Sequence, residues 1–485
     1  MNPHEHDCFE WFMCQTIRKF PGILPSPFWV TLVRQATTSE PAVLHAVLAL
    51  SCAHQKDGID DNGPRKAQDY PDALEQFILR QYSSAIGHLQ PHFSAKSKGS
   101  VRVALVTCLI FIYLESLRGH YKKANAHLQS GLKLLREIQA RPSSKGDKVF
   151  VLKPCQNFVD ACITETFVRL QVQAILLGQA STLDLVFRTI EPESSSVITF
   201  VSVDEARQHL DRLSYAIFHL TELSLRKSAT QDATFSSFLI EQQRRIQAGL
   251  KSWHATYKAS QVILQGRITA RDKFCYQVLR IYHTLATIVA NTCLQPASES
   301  IYDSELQGFT SIIIQSVEIW NIVTTTPMDN IIHGCLADMS DAVAEVGWIP
   351  PLYYTAIKCR NHRIRLQAVR LLKALPHKEG MWDSMIAASI SKAVVEIEER
   401  DFYKDFVTED DFALCSAPTE KDLLLPELPE LNRLHEVQIM LPDNPMEKVV
   451  MTCKRRLKDG SCEVLVRECE VLPQARVMKP GRTMK

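Results

Sequence analysis

Apolar residues recur at the spacing of one helical face along most of this chain. The segment from Pro41 to Leu50, PAVLHAVLAL, opens with a proline suited to a first helical turn and continues with apolar residues at helical spacing. The same periodicity predicts further helices at Phe158 to Leu177, Asp204 to Leu225, Phe238 to Lys258, Lys273 to Cys293, Leu306 to Val323 and Tyr353 to Leu375. Strand-type alternation is nearly absent. The pattern therefore predicts an all-α protein with a large multi-helix domain.

One pair of helices is predicted to form an antiparallel hairpin. A long apolar helix follows Gly99 and ends near Leu117, Gly119 permits a turn, and apolar residues from Ala124 to Leu135 form the stripe of a second helix. The most apolar segment, Val103 to Leu114, is too short to span a bilayer, so we expect a buried helix and no membrane contact. No fixed-period repeat occurs, which leaves a diverged helical array as the alternative arrangement of hairpins.

The charge pattern changes near the C-terminus. Glu396 to Glu430 contains twelve acidic and three basic residues with aromatic and leucine residues between them, whereas Lys448 to Lys485 contains ten basic and four acidic residues. We therefore divide the chain into a helical domain at 1–400, an acidic-hydrophobic linker or activation-like segment at 401–447, and a basic tail at 448–485.

The basic tail carries a weak hairpin signal. Val449 to Cys453 and Glu463 to Val466 flank Asp459-Gly460, a dipeptide that favours a tight turn. The nearby cluster Lys454, Arg455, Arg456 and Lys458 is a candidate for nuclear import or for phosphate contact, and a charged hairpin turn is the alternative.

The acidic segment is a candidate activation segment because aromatic and leucine residues alternate with carboxylates. The residues concerned are Phe402, Tyr403, Phe406, Phe412, Leu423, Leu424 and Leu425. The alternative is a solvated helix end that continues into a linker.

Composition limits the remaining classes of function. The 485 residues carry 55 Lys and Arg against 54 Asp and Glu, a net charge of +1, so any contact with nucleic acid must be local. Fourteen scattered cysteines suit a reducing compartment, and the N-terminus has no secretory pattern. Hydrophobic residues make up 46% of the chain, which indicates that most of it folds.

The sequence indicates no catalytic, metal or cofactor site. No C-x-x-C pair occurs, and the phosphate-loop, dinucleotide, nucleophile-elbow and zinc-protease motifs are absent. His4 and His6 form a terminal polar cluster expected to be solvated, and His127 on an apolar stripe is expected to be a hydrogen-bonded core residue. Asp60-Asp61 is predicted to be a turn, not a magnesium site. We therefore expect no enzyme and no cofactor.

Several segments in order resemble one known family. They are FW at Phe28-Trp29, LVRQ from Leu32 to Gln35, EPAVLHAVLALSCAHQ from Glu40 to Gln55, LIFIYLESLRGHYKKANAHLQSGLKLL from Leu109 to Leu135, FVRLQVQAILLGQ from Phe167 to Gln179, the segment from Ile349 to Ser384, and IEER from Ile397 to Arg400. Together they resemble the fungal-specific transcription factor domain of regulators that carry a binuclear, six-cysteine zinc cluster.

The resemblance implies that the multi-helix domain at 1–400 is a regulatory domain. It also implies a nuclear transcription regulator of a metabolic or secondary-metabolite gene set. In such regulators a six-cysteine zinc cluster precedes this domain and contacts DNA. The sequence contains no such cluster, so we expect action through protein partners, either the transcription machinery or a DNA-binding regulator, rather than direct DNA binding. A cluster encoded upstream of Met1 and a regulator that naturally lacks one are both open. Self-association as a homodimer is a further expectation from the family.

A second function class is open from the sequence. The near-neutral charge and the missing DNA-binding module also suit a helical interaction scaffold, or a binding protein that responds to a small molecule, outside transcription. Nuclear location and loss of defined transcripts on deletion would favour the regulator. Cytosolic location with unchanged transcripts would favour the scaffold.

Overall fold

The computed structural model describes residues 1–24, 26–60, 73–95, 97–142, 150–152, 158–179, 185–187, 199–227, 233–263, 269–295, 298–325, 342–345, 347–374, 376–406, 410–444 and 446–470. Helices dominate these residues, which confirms the predicted all-α class. The principal helices are α1 (Pro3–Trp11), α2 (Ile17–Lys19), α3 (Arg34–Ser39), α4 (Pro41–Asp60), α5 (Ala73–Ala95), α6 (Lys98–Leu117), α7 (Tyr121–Gln139), α8 (Phe158–Leu176), α9 (Val203–Lys227), α10 (Ala233–Ile263), α11 (Ala270–Thr292), α12 (Leu306–Thr325), α13 (Ile349–Lys358), α14 (His362–Ala374), α15 (Ser384–Glu399) and the short α16 (Glu420–Leu423).

The predicted helical hairpin is confirmed. The helices α6 and α7 pack against each other, and Gly119 between them has a φ of +78°, a conformation that favours glycine. Ala124, Leu128, Leu132 and Leu135 on α7 are buried, as the predicted stripe requires. Among the described residues, α6 is long and apolar enough to cross a membrane, but most of its side chains are buried inside the protein, as expected of a core helix.

The helices form two hydrophobic clusters that share α8. The first cluster is built mainly from α1 to α7, with Trp29, Phe167 and the apolar residues of α6 at its centre. The second contains α9 to α15 and the C-terminal strands. Residues of α8 contribute to both, Phe167 and Leu170 to the first and Leu176 to the second, so this helix joins the two halves.

Buried charges lie close to this junction. The carboxylate of Glu345 lies 3.5 Å from guanidinium nitrogens of both Arg169 on α8 and Arg207 on α9. Close by, the amide of Ala344 donates to the carbonyl of Phe20 at 2.6 Å. The segment around 342–345 therefore connects the N-terminal helices to α8 and α9.

The prediction of one continuous helix from Tyr353 to Leu375 is wrong, because the structure contains two helices there, α13 and α14. Cys359, at the end of α13, is extended, with φ −72° and ψ 138°. Asn361 then caps α14, since its side-chain oxygen accepts from the amide of Ile364 at 3.2 Å. The break directs the Arg360 guanidinium toward Glu299 and Glu398, 2.9 and 3.0 Å away. Periodicity alone does not detect such a break, because apolar residues continue at helical spacing on both sides of it.

Small sheets complete the fold. One joins β1 (Ala140–Pro142), β2 (Phe150–Leu152) and β3 (Leu185–Phe187), and another pairs β4 (Lys378–Glu379) with β5 (Trp382–Asp383). The third is antiparallel, in the order β6 (Leu434–Met440), β7 (Val449–Arg456) and β8 (Cys462–Cys469). Its β6 lies in the segment 401–447 and pairs with β7 in the segment 448–485, so the two segments share one sheet; their functional division stays a prediction.

The strands β7 and β8 flank the Asp459-Gly460 turn. Gly460 has a φ of +84°, and the amide of Leu457 donates to the carbonyl of Ser461 at 2.8 Å.

Sequence periodicity missed β6, because a register shift between His435 and Gln438 and the left-handed Glu436, φ +49°, interrupt its alternation. The inner face of the sheet packs on the helices through Ile439, Met451 and Cys453.

Candidate functional site

The acidic segment lies against a polar face of α14. Arg370 donates to the carbonyl of Asp410 at 3.2 Å, and Gln367 donates to the carbonyls of Leu414 and Ser416 at 2.8 and 2.9 Å. Asn361, which precedes the helix, donates to the carbonyl of Asp422 at 2.8 Å. Most of these bonds reach backbone carbonyls, so α14 positions the course of the segment over 410–422 while leaving many of its side chains free to point elsewhere.

Phe412 is the aromatic anchor of this contact. The Arg363 guanidinium lies 3.2 Å and the Arg370 guanidinium 4.4 Å from the centroid of its ring. Arg363 also donates to the Ser416 hydroxyl at 2.9 Å. Cation–π attraction to the two guanidinium groups therefore adds to the hydrogen bonds that hold the segment.

A second anchor lies where the segment leaves α15. The Tyr403 ring is buried, and its hydroxyl oxygen lies 3.1 Å from the carbonyl oxygens of both Arg360 and Pro426, which share its one proton. Burial raises the pKa of this phenol above its ordinary value, so it stays protonated and remains a donor. Tyr403 thereby ties the start of the acidic segment to its end.

Beneath the segment lies a buried ionic cluster. Glu398, fully buried on α15, accepts from Arg365 at 2.5 Å, from Arg360 at 3.0 Å and from the amide of Leu434 at 2.7 Å. Glu299 pairs with Arg360 and, at 2.7 Å, with Lys358. Burial alone would raise the pKa of Glu299, but the neighbouring cations hold it below its ordinary value. These paired charges fix the junction of α13, α14, α15 and β6.

His362 joins this cluster to the acidic segment. Its Nδ1 lies 2.7 Å from Glu399 and its Nε2 lies 3.0 Å from Asp410. Burial alone would lower the pKa of the imidazole, but the two carboxylates raise it above the ordinary value. A raised folded-state pKa means that the contact stabilises the fold most below the ordinary histidine pKa and that this contribution is lost as the pH rises through the folded-state value.

The remaining candidate activation residues differ in their exposure. Phe402 is half-buried and its ring contacts those of Tyr403 and Phe406. Leu423 and Leu425 are half-buried, and Leu423 packs against the second hydrophobic cluster. Phe406 and Leu424 are exposed, Leu424 to 81%. The structure thus brings the predicted residues onto one anchored segment but leaves only some of their side chains accessible.

The basic cluster lies on the hairpin of β7 and β8. Lys454 pairs with Glu436 and Arg455 pairs with Glu463, each at 2.6 Å. Arg456 and Lys458 lie at the end of β7 and in the turn, and both are exposed. Arg456 and Lys458 are therefore the most exposed residues of the cluster.

Other predicted features have ordinary structural roles. His4 and His6 are exposed, and Nε2 of His127 lies 2.9 Å from the Tyr82 hydroxyl. No group of side chains able to hold a metal ion occurs among the described residues. Asp61 lies outside the described residues, whereas Asp60 ends α4.

Sequence reasoning missed the residues of α14 that hold the segment. Arg363, Gln367 and Arg370 recur at intervals of four and three residues, which places them on one helical face, adjacent to the face that carries the buried Ile364, Ala368 and Leu371. That spacing was a usable signal, but a charged helical face ordinarily indicates contact with solvent. Its pairing with a segment about 45 residues away is a tertiary contact.

Comparisons with known proteins agree on a family. A model described as the fungal specific transcription factor domain matches residues 6–333. The transcription regulator lscL of Purpureocillium lilacinum is 24% identical over 303 residues, which cover 59% of this chain and 70% of that protein. The aspercryptin biosynthesis cluster-specific transcription regulator atnN of Emericella nidulans is 29% identical over 137 residues, 28% of this chain and 21% of that protein. No solved structure matches.

Proposed function

Since the chain belongs to the fungal-specific transcription factor domain family and is a transcription regulator, we propose that it controls a specific gene set, such as a secondary-metabolite cluster, through protein partners bound at its acidic segment. The gene set is suggested by the relative in Emericella nidulans, a transcription regulator specific to the aspercryptin biosynthesis cluster. The role is regulatory rather than catalytic, and it is exercised in the nucleus. The partners belong to the transcription machinery or are DNA-binding regulators.

One observation carries the proposal for the acidic segment. Its backbone is anchored on α14, whereas Phe406 and Leu424 remain exposed among the exposed carboxylates of Asp405, Asp411 and Glu420. Apolar side chains surrounded by carboxylates can enter an apolar groove with a basic rim. Anchoring lowers the entropy lost on binding, because part of the segment is already ordered.

Leu424→Ala provides a direct test of this activation surface. In the full chain fused to a heterologous DNA-binding domain, we expect reporter expression to fall several-fold, because removal of an apolar anchor from an interface costs about 2 kcal/mol. The melting temperature should stay unchanged, since Leu424 is 81% exposed. Reporter expression and thermal unfolding are measured on the same variants.

Met446→Ala is the matched control. Met446 is also a large exposed apolar residue, but it lies outside the acidic run from Glu396 to Glu430. Its replacement should leave the reporter unchanged. Equal reporter signals from the parent, Leu424→Ala and a Phe406→Ala/Leu424→Ala variant would contradict the activation role.

We further propose that the basic cluster directs nuclear import. Alanine at Lys454, Arg455, Arg456 and Lys458 should lower the nuclear-to-cytoplasmic ratio of a fluorescent fusion several-fold. Replacement of the exposed Arg456 and Lys458 alone should reproduce most of this effect, because Lys454 and Arg455 are half-buried and ion-paired. Quantitative imaging of living cells provides the ratio.

Arg244→Ala/Arg245→Ala serves as the control, because both side chains are exposed on α10 and the change in charge is the same as for the two-residue variant. This control should remain nuclear. A fusion that stays nuclear with all four tail residues replaced would show that import uses another signal.

A further inference from the structure

The strand β8 forms an edge of the C-terminal sheet within the described part of the chain. The residues Cys462 to Cys469 pair with β7, and the described backbone hydrogen bonds of β8 are made to β7. Val464 and Val466 on its outer face are 59% and 67% exposed. A sheet edge with exposed apolar side chains is a template for pairing with another strand.

The sequence of β8 is complementary to itself in the antiparallel direction. If two copies pair about Leu465, Leu465 faces its own equivalent and Val464 faces Val466. In the same register Glu463 faces Arg467, so two pairs of opposite charge form by symmetry. A register shifted by one residue places Glu463 opposite Glu468 and loses this complementarity.

The charged residues of the register are accessible at this edge. Glu463 contacts Arg455 of the neighbouring strand, and Arg467 contacts Glu396 of α15 at 2.8 Å, but both side chains are about 40% exposed. Each side chain therefore remains partly accessible to solvent. Cys453 of β7 lies opposite Leu465, so the centre of the register lies in the middle of an ordered ladder.

We propose that β8 is a homodimerisation edge: two copies of this chain pair their β8 strands antiparallel about Leu465, and the sheet becomes continuous over six strands. The interface is isologous, since the same residues face each other across a two-fold axis. The valines of both copies then form one apolar patch on the outer face. This interaction goes beyond the activation role proposed above and does not depend on it.

The size of the interface sets the expected affinity. A single pair of eight-residue strands with their flanking side chains lies at the low end of specific interfaces. We therefore expect a reversible dimer with a dissociation constant on the order of micromolar. Sedimentation of the full chain over a concentration series should show exchange between monomer and dimer.

Charge reversal tests the register. Glu463→Arg places arginine opposite Arg467 in both symmetric pairs, and Arg467→Glu places two carboxylates opposite each other. Each variant alone should dimerise about tenfold more weakly than the parent. A mixture of the two variants should form a heterodimer, because every facing pair then has opposite charges. A purely structural role of these residues does not produce this selective pairing.

Glu468→Arg is the matched control. It makes the same change in charge on the same strand, but residue 468 faces Cys462 in the proposed register, so the homodimer should persist.

A parent chain that remains monomeric at tens of micromolar, above the expected dissociation constant, would overturn the proposal. A dimer in which the two charge variants do not pair selectively would overturn it as well. Hydrogen exchange gives an independent readout, because protection of the β8 amides that face away from β7 must rise with concentration. Low protection at every concentration would contradict the dimer, and high protection at every concentration would mean that the chain covers its own edge.

Discussion

Replacing Arg365 with methionine should lower the free energy of unfolding by about 3–5 kcal/mol. The guanidinium is fully buried and donates to Glu398, to Glu399 and to the carbonyl of Ala356. Methionine fills similar volume but leaves the buried carboxylate of Glu398 with less compensating charge. The effect is measured as the loss of stability in chemical denaturation followed by helical circular dichroism.

Arg245→Met is the control for this change. Arg245 pairs with Glu241 on the exposed face of α10, where solvent screens the interaction, and we expect a loss below about 1 kcal/mol. The Arg365→Met variant should also expose the acidic segment to protease, because α14 carries both Arg365 and the residues that hold 410–422. Equal stability of the two methionine variants would show that the buried cluster contributes nothing to the fold.

Alanine substitutions at Gly131 and Gly87 should change stability in opposite directions. Both glycines lie inside helices, where alanine is intrinsically favoured by about 1 kcal/mol. A Cβ atom at Gly131 would overlap the buried ring of Phe167 on α8 and approach the sulfur of Cys108 on α6 to 3.2 Å. We expect Gly131→Ala to destabilise the protein by about 1–3 kcal/mol, because the overlap exceeds the gain in helix propensity.

Gly87→Ala should stabilise the protein by about 0.4–1 kcal/mol, since nothing lies within 4 Å of the added atom. Thermal and chemical unfolding of both variants provide the comparison. If Gly131→Ala proved as stabilising as Gly87→Ala, close packing of α7 on α8 at this position would be wrong.

The candidate site was predictable in composition but not in arrangement. The run of carboxylates, aromatics and leucines from Glu396 to Glu430 is local, so the sequence alone identifies it. Tyr403 and Phe412 look equivalent in that pattern, yet the Tyr403 hydroxyl bonds to backbone carbonyls and the Phe412 ring contacts two guanidinium groups. Which aromatic residue is an anchor and which leucine is exposed depends on contacts with α14.

The basic cluster illustrates the same limit. Lys454, Arg455, Arg456 and Lys458 are adjacent in sequence and carry the same charge. In the sheet, cross-strand neighbours pair with the first two and leave the last two exposed. Cross-strand pairing depends on register, and the register of β6 with β7 contains a shift that no period of two predicts.

The sequence by itself determined the helical class, the α6–α7 hairpin and the limits of most helices, because helical hydrogen bonds and apolar stripes connect residues three or four positions apart. Only the tertiary structure decided the break at Cys359 to Asn361, the strand β6 and the docking of the acidic segment on α14. Each of these depends on groups distant in sequence, such as Glu299 and Glu398 around Arg360. Their energies arise from burial and charge pairing, which a local pattern does not contain.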